Sequence, residues 1–139
     1  MINIENGDPI ILTKALISCR SVTPHNDGAI EQLSHWLNEM GFKCDILNFK
    51  EDGTDDVLNL WARIGNEEGP ALCFAGHTDV VPEGDETSWS TDPFAANEID
   101  GKIIGRGATD MKGAIASFVS ATKKSVSYTH LRAHETDYY

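Results

Sequence analysis

Apolar residues near the amino terminus recur at intervals of three and four, the spacing that places them on one face of a helix. The first such set is Ile11, Leu12, Ala15, Leu16 and Cys19. Asp8 followed by Pro9 predicts the start of this helix, because the side chain can cap it and proline fits the first turn. A second helix is predicted from about Asp27 to Gly41, a C-cap candidate.

From Phe42 the apolar period shifts to two, which is typical of a strand with one buried face. This strand is predicted to lead into a turn at residues 52–53, followed by a second strand over residues 57–64. Residues 71–75 form a continuous apolar run. Such a run favours a strand that is covered on both faces, so we predict a central strand there.

The second half of the chain combines a long loop with further regular elements. Residues 79–93 contain two prolines and a glycine without clean periodicity, and a loop of this length is usually functional. Residues 99–103 predict a hairpin turn, and apolar spacing from Met111 predicts a helix to about Lys124. This mixture of helices and strands predicts an α/β layered domain.

Composition narrows the function classes. The 139 residues, 40% hydrophobic and 24% charged, fit one globular domain. A formal net charge of -11 disfavours a nucleic-acid or anionic-membrane partner. No membrane span or secretory signal is recognisable, which predicts a cytoplasmic protein. Cys19, Cys44 and Cys73 have no paired spacing, so we interpret them as small buried apolar residues.

The first candidate site follows the apolar run, where residues 76–79 read Gly-His-Thr-Asp. In α/β sheets, ligand-binding groups are exposed at the ends of strands. Strand spacing points His77 and Asp79 to the same side. Asp79 could then accept the second ring N–H of a metal-bound His77. The alternative is a surface histidine that pairs with a nearby aspartate.

The second candidate site is the glycine-rich segment 105–113, which surrounds Asp110. Glycines allow unusual backbone angles and close approach of neighbouring groups. A carboxylate in this position can present its two oxygens to two cations. The segment equally fits Asp110 as the N-cap of the helix that begins at Met111.

Together, residues 75–82 and 105–113 resemble the paired signature of the aminoacylase and glutamate-carboxypeptidase family of di-zinc hydrolases. Residues 21–24, 59–63 and 89–94 are similar to the branch of this family that hydrolyses N-succinyl amides, rather than to its acetylornithine-deacetylase relatives. The resemblance covers residues 8–124. It implies an α/β fold, the truncated N-terminal part of a three-layer αβα zinc-peptidase-like catalytic domain.

The resemblance also implies roles for individual residues. His77 is expected to ligate one zinc, Asp110 to bridge two zinc ions, and Asp79 to be the catalytic residue that orients His77. A cis peptide is expected between Asp110 and Met111. The cofactor is expected to be two zinc ions per subunit, with cobalt as a substitute.

For the full-length parent, the resemblance implies a small-molecule substrate, a homodimer and no nucleic-acid or membrane partner. The implied reaction splits N-succinyl-LL-2,6-diaminopimelate into succinate and LL-diaminopimelate, a step of lysine and diaminopimelate biosynthesis. The alternatives are another acylase or aminopeptidase of the family, or a non-catalytic truncated domain.

The pattern departs from the family after Lys124. No Glu-Glu pair, which supplies the family's general base, follows there, and further ligands and the dimerisation domain have no counterpart. Residues 125–139 resemble translated read-through and are predicted to be a disordered tail, leaving residues 1–124 as a partial, inactive catalytic domain. The alternative for the tail is a metal site at His130 and His134, four residues apart.

Overall fold

The computed structural model describes residues 1–5, 7–65 and 69–135, with side chains up to residue 127. The helices are α1 (Pro9–Ser18), α2 (Ala29–Glu39) and α3 (Gly113–Glu135). The strands are β1 (Lys43–Phe49), β2 (Val57–Arg63), β3 (Asn97–Ile99) and β4 (Lys102–Ile104). A single helical turn lies at Glu86–Ser88, and a kinked turn, in which Asp110 and Met111 have non-helical backbone angles, lies at Ala108–Lys112. No helix within the described ranges is long and apolar enough to cross a membrane.

The first two helices confirm the prediction from apolar spacing. Asp8 caps α1, since its Oδ1 accepts a hydrogen bond from the Ile10 amide at 2.8 Å. Helix α2 begins slightly later than predicted, because Gly28 is left-handed and Asn26 Oδ1 accepts from the Ile30 amide at 2.8 Å. It ends before Gly41, whose φ of 88° is a conformation that glycine adopts without steric cost.

The hydrophobic core lies between the three helices. Its buried side chains include Leu12, Leu16, Leu33, Trp36, Ile115, Ala116 and Val119. Burying an aliphatic side chain of this kind contributes about 1.5–3 kcal/mol. The indole N–H of Trp36 also donates to the carbonyl of Ile2 at 2.6 Å, so the buried ring keeps a polar partner. Helices α1 and α3 also pack against the segment Ala108–Lys112, which contains the candidate site residue Asp110.

Both hairpins agree with the sequence pattern. Strand β1 pairs antiparallel with β2 from Lys43 opposite Arg63 to Phe49 opposite Val57, and this pair packs against α2. Strand β3 pairs antiparallel with β4. Asp100 and Gly101 connect them with φ of 50° and 72°, the pair of positive angles that a tight two-residue hairpin turn requires.

The central strand predicted over residues 71–75 is wrong for this structure. The segment is in no strand, and nearby the described residues form a single parallel bridge, between Val22 and Val80. Leu72 is 92% exposed, and Phe74 stacks on Phe118 with ring centroids 4.3 Å apart. An apolar strand needs hydrogen-bonded neighbours and layers on both faces, which the described residues do not supply. Cys73 is exposed for the same reason, and Cys19 and Cys44 are only partly buried, contrary to the interpretation of all three as buried residues.

Helix α3 extends past Lys124, where the prediction ended it, to Glu135. The sequence after Gly113 contains no glycine or proline that would stop a helix. The helix thus enters the segment predicted to be disordered, while residues 136–139 lie outside the described residues. The side chains of His130 and His134 are outside them as well. The read-through origin of the tail stays a prediction.

Candidate metal centre

The structure brings His77 and Asp110 together from the two glycine-rich motifs. His77 Nε2 lies 3.1 Å from Asp110 Oδ1. Two tetrahedral zinc ligands at about 2.0–2.2 Å from the ion are about 3.3–3.6 Å apart, so the two atoms would need to separate by only a few tenths of an ångström to share one zinc. The side chains are 48% and 85% exposed, so the pair faces solvent. An imidazole nitrogen and a carboxylate oxygen are also the donor types that zinc binds.

Asp79 lies at the opposite edge of the His77 ring. His77 Nδ1 is 3.0 Å from the carbonyl oxygen of Asp79 and 3.2 Å from its Oδ1. A proton on Nδ1 can be donated to either oxygen, which leaves the Nε2 lone pair directed towards Asp110. The hydrogen bond to the Asp79 carbonyl raises the pKa of His77 above its ordinary value, and the Asp110 carboxylate adds to this. A metal would therefore compete with a proton for Nε2.

Close packing at Gly107 explains why Asp110 reaches His77. Gly107 has φ of 80°, and a Cβ built on it would lie 2.6 Å from Val80 Cγ1. Only glycine lets this turn approach the residue that follows Asp79. The Asp110–Met111 peptide is cis, as the resemblance implied. Asp110 thus contacts His77 in this structure, and its role as a metal ligand stays a prediction.

Lys112 connects the turn Ala108–Lys112, which carries Asp110, to the end of α1. Its side chain is 0% exposed, and Nζ donates to the carbonyl of Cys19, just after α1, at 2.6 Å. Burial lowers the pKa of Lys112 to about 8, although the charges of Cys19, Asp27 and Asp79 oppose this shift. Burial likewise raises the pKa of the Cys19 thiol. The turn that carries Asp110 is thus attached to α1.

The long loop over residues 79–93 is held by two arginines. The Arg106 guanidinium lies 5.2 Å from the Trp89 ring centroid and donates to the Glu83 carbonyl at 3.1 Å. Trp89 Nε1 donates to the same carbonyl at 3.0 Å, and Arg20 forms an ion pair with Glu83 at 2.6 Å. These contacts attach the loop to the segment that contains Asp110. Its functional role stays a prediction.

Sequence reasoning missed one hydroxyl beside the site. Thr23 Oγ1 donates to Asp79 Oδ2 at 2.7 Å, across the parallel bridge of Val22 and Val80. The sequence did hold one indication of this contact, because Thr23 lies in residues 21–24, one of the segments that resemble the family. Within residues 1–5, 7–65 and 69–135, no group of three or more His, Cys, Asp or Glu residues is placed to hold a metal ion. The described residues of the centre thus bring together two donor groups, the imidazole of His77 and the carboxylate of Asp110.

Comparison with known proteins gives the class. Residues 73–131 match Peptidase family M20/M25/M40. The crystal structure of human carnosine dipeptidase 1 superposes with a TM-score of 0.77 at 23% identity, covering 90% of this chain and 30% of that chain. At this identity the likeness shows the fold alone, which is of the mixed α/β class. The family match thus indicates the class of the M20 hydrolases, to which residues 73–131 are similar.

Two sequence relatives share one enzyme name. The chain is 53% identical over 117 residues to succinyl-diaminopimelate desuccinylase of Parvibaculum lavamentivorans, covering 84% of this chain and 29% of that protein. It is also 53% identical over 114 residues to the protein of the same name from Rhodospirillum centenum, covering 82% and 29%. The chain is therefore a homologue of succinyl-diaminopimelate desuccinylases and spans about 30% of their length.

Proposed function

We propose that residues 1–124 are part of the catalytic domain of a zinc-dependent desuccinylase. The reaction is hydrolysis of the N-succinyl amide of N-succinyl-LL-2,6-diaminopimelate to succinate and LL-diaminopimelate. The observation that carries the proposal is the 3.1 Å approach of His77 Nε2 to Asp110 Oδ1, with Asp79 at the other ring nitrogen. The names of the relatives supply the substrate.

Each residue has a separate task in this proposal. His77 would hold one zinc ion through Nε2, and Asp110 would hold two zinc ions through its carboxylate. Asp79 keeps the proton of the imidazole on Nδ1, so that Nε2 presents its lone pair. When bound, zinc lowers the pKa of a coordinated water to about 7 and polarises the amide carbonyl.

The proposal distinguishes the 139-residue chain from a longer parent. A catalytic zinc normally has three protein ligands, whereas the described centre has two. One positioned acid–base group alone contributes about 10²–10⁴-fold to a rate, and no Glu-Glu pair follows Lys124. We therefore expect this chain to bind zinc weakly and to be inactive. For the parent, we propose a cytoplasmic homodimer that also accepts cobalt and binds neither nucleic acid nor membranes.

A chimeric enzyme tests the proposal. Residues 1–124 replace the matching segment of the Parvibaculum lavamentivorans desuccinylase, and succinate release is measured with zinc. We expect the chimera to be active, and His77→Ala or Asp110→Ala to abolish activity. His35→Ala is the matched control, because His35 lies on α2 beside Asn3 and Glu39 and should leave the rate unchanged.

Two results would contradict the proposal. One is a chimera that retains succinate release after His77→Ala, because the imidazole would then not be a ligand. The other is a folded, zinc-loaded chimera that prefers N-acetylornithine over N-succinyl-diaminopimelate, which would support the acylase alternative. Calorimetric titration of the 139-residue chain adds an independent check, since tight stoichiometric zinc binding by this chain would contradict the two-ligand account.

A further inference from the structure

A short segment lies alongside the residues that follow His77. Ser21 to Thr23 runs parallel to Thr78 to Val80 through two backbone hydrogen bonds. The Thr23 amide donates to the Val80 carbonyl at 3.1 Å, and the Val80 amide donates to the Ser21 carbonyl at 2.9 Å. This pairing sets the position of Thr23 relative to Asp79.

Ser21 anchors the segment from the side of the core. Its side chain is buried, and its hydroxyl donates to the Thr78 carbonyl at 2.7 Å. Its amide donates to Asp27 Oδ2 at 2.9 Å. The backbone around Thr23 is therefore held by hydrogen bonds to Thr78, Val80 and Asp27. These bonds fix the position of the Thr23 hydroxyl independently of its contact with Asp79.

Asp79 uses its two carboxylate oxygens in opposite directions. Oδ2 accepts the hydroxyl of Thr23 at 2.7 Å, and Oδ1 lies 3.2 Å from His77 Nδ1. The hydroxyl has one proton to donate, and its second acceptor, the Val80 carbonyl, is more distant at 3.4 Å. The hydroxyl therefore donates its hydrogen bond to the charged acceptor at the shorter distance, Asp79 Oδ2.

The consequence concerns the orientation of an exposed carboxylate. Without a second partner, the Asp79 side chain could rotate in solvent and leave His77 Nδ1 with the Asp79 carbonyl alone. Each tautomer of His77 would then have one hydrogen-bond acceptor: the Asp79 carbonyl for a proton on Nδ1, and Asp110 Oδ1 for a proton on Nε2. With Asp79 held, Nδ1–H has two acceptors, which favours the tautomer that leaves Nε2 free.

We propose that Thr23 is a positioning residue, whose hydroxyl holds Asp79 so that the His77 imidazole carries its proton on Nδ1 and offers Nε2 to a metal. The importance of that tautomer rests on the proposed function. The hydrogen bonds that select it are present in the 139-residue chain itself, so they can be tested without metal or substrate.

The test uses ¹⁵N-labelled 139-residue chain without metal, at a pH high enough that the ¹⁵N shifts of the His77 ring no longer change, because the pKa of His77 lies above its ordinary value. Long-range ¹H–¹⁵N correlations report the His77 tautomer. Thr23→Val removes the hydroxyl at nearly constant shape, and Thr23→Ser retains it. Thr23→Ala is measured as a second hydroxyl-free variant, so the test stands if valine disturbs folding. The thermal midpoint of each variant shows whether the chain is folded.

We expect the wild type and Thr23→Ser to be mainly in the Nδ1–H tautomer. Thr23→Val and Thr23→Ala should shift the tautomer ratio at least about threefold towards Nε2–H, because one hydrogen bond to a charged acceptor is lost. Unchanged ratios in both hydroxyl-free variants, or an equal shift in Thr23→Ser, would overturn the proposal. Failure of the chimera to release succinate would instead count against the proposed function, because the tautomer is measured without turnover.

Discussion

Replacing Lys112 by methionine should remove a pH-dependent part of the stability of this fold. Lys112 is fully buried, and Nζ has the Cys19 carbonyl as its partner at 2.6 Å. Methionine retains an unbranched side chain of similar length and lacks the amine. The variant therefore separates the packing of the side chain from the cost of burying its charge.

The magnitude follows from the pKa of the amine. Burial lowers the pKa of Lys112 from 10.5 to about 8, which corresponds to about 3 kcal/mol at 1.36 kcal/mol for each pH unit. In the unfolded chain the lysine keeps its proton until about 10.4. Between these values the unfolded state binds more protons than the folded state, so the free energy of unfolding rises with pH. Below about pH 8 the full cost of burying the charge is present.

At pH 7 two effects of the substitution oppose each other. Methionine relieves the burial of a charge, but it leaves the Cys19 carbonyl without a bond that is worth about 1.5–3 kcal/mol when the donor is charged. We therefore expect wild type and Lys112→Met to differ by about 1 kcal/mol or less at pH 7. At pH 10 the wild type should have gained about 2–3 kcal/mol relative to the variant.

Urea unfolding followed by circular dichroism from pH 7 to pH 10 measures this difference. Other groups that titrate at high pH are shared by both proteins, and both carry Cys19→Ala, because the Lys112 charge lowers the pKa of the Cys19 thiol. Lys14→Met is the control, since Lys14 is partly exposed and pairs with Glu98 at the surface, so this variant loses a lysine without losing a buried amine. Parallel pH curves for wild type and Lys112→Met would refute the reasoning.

Two further predictions concern the site. Gly107→Ala should destabilise the chain by about 1–3 kcal/mol, because the new Cβ would lie 2.6 Å from Val80 Cγ1 in a left-handed residue. Gly84→Ala, also left-handed but with open space around it, should cost about 1 kcal/mol, and equal losses in urea unfolding would contradict this. Zinc affinity measured by calorimetry should keep rising with pH beyond about 6.5, because the raised pKa of His77 lets protons compete for Nε2 at higher pH. An affinity that no longer changes above pH 6 would count against His77 as a ligand.

Local sequence patterns predicted the parts of the fold that depend on local chemistry. Asp8 and Pro9 marked the start of α1, because capping involves neighbours in the chain. The positive φ angles at Asp100 and Gly101 were similarly encoded by the turn itself. The meeting of His77 and Asp110 was accessible because two separate motifs resembled one known pair.

The features that the sequence did not predict correctly depend on residues that are distant from each other in the sequence. Residues 71–75 have the composition of a covered strand, but composition cannot say whether neighbouring strands are present. The hydrogen bond between Lys112 and Cys19 spans 93 positions, and that between Thr23 and Asp79 spans 56. Neither has a periodic signal. Such contacts arise from the way the helices and loops pack, which a single sequence does not reveal by pattern alone.

The central claim is that His77 and Asp110 are ligands of the same zinc. Anomalous diffraction at the zinc edge from crystals of the zinc-loaded chimera tests it most directly. We expect one zinc at about 2.0–2.2 Å from both His77 Nε2 and an Asp110 oxygen, a second zinc on the other Asp110 oxygen, and Asp79 hydrogen-bonded to His77 Nδ1. Zinc bound without His77 and Asp110, or bound through His77 Nδ1, would contradict the account.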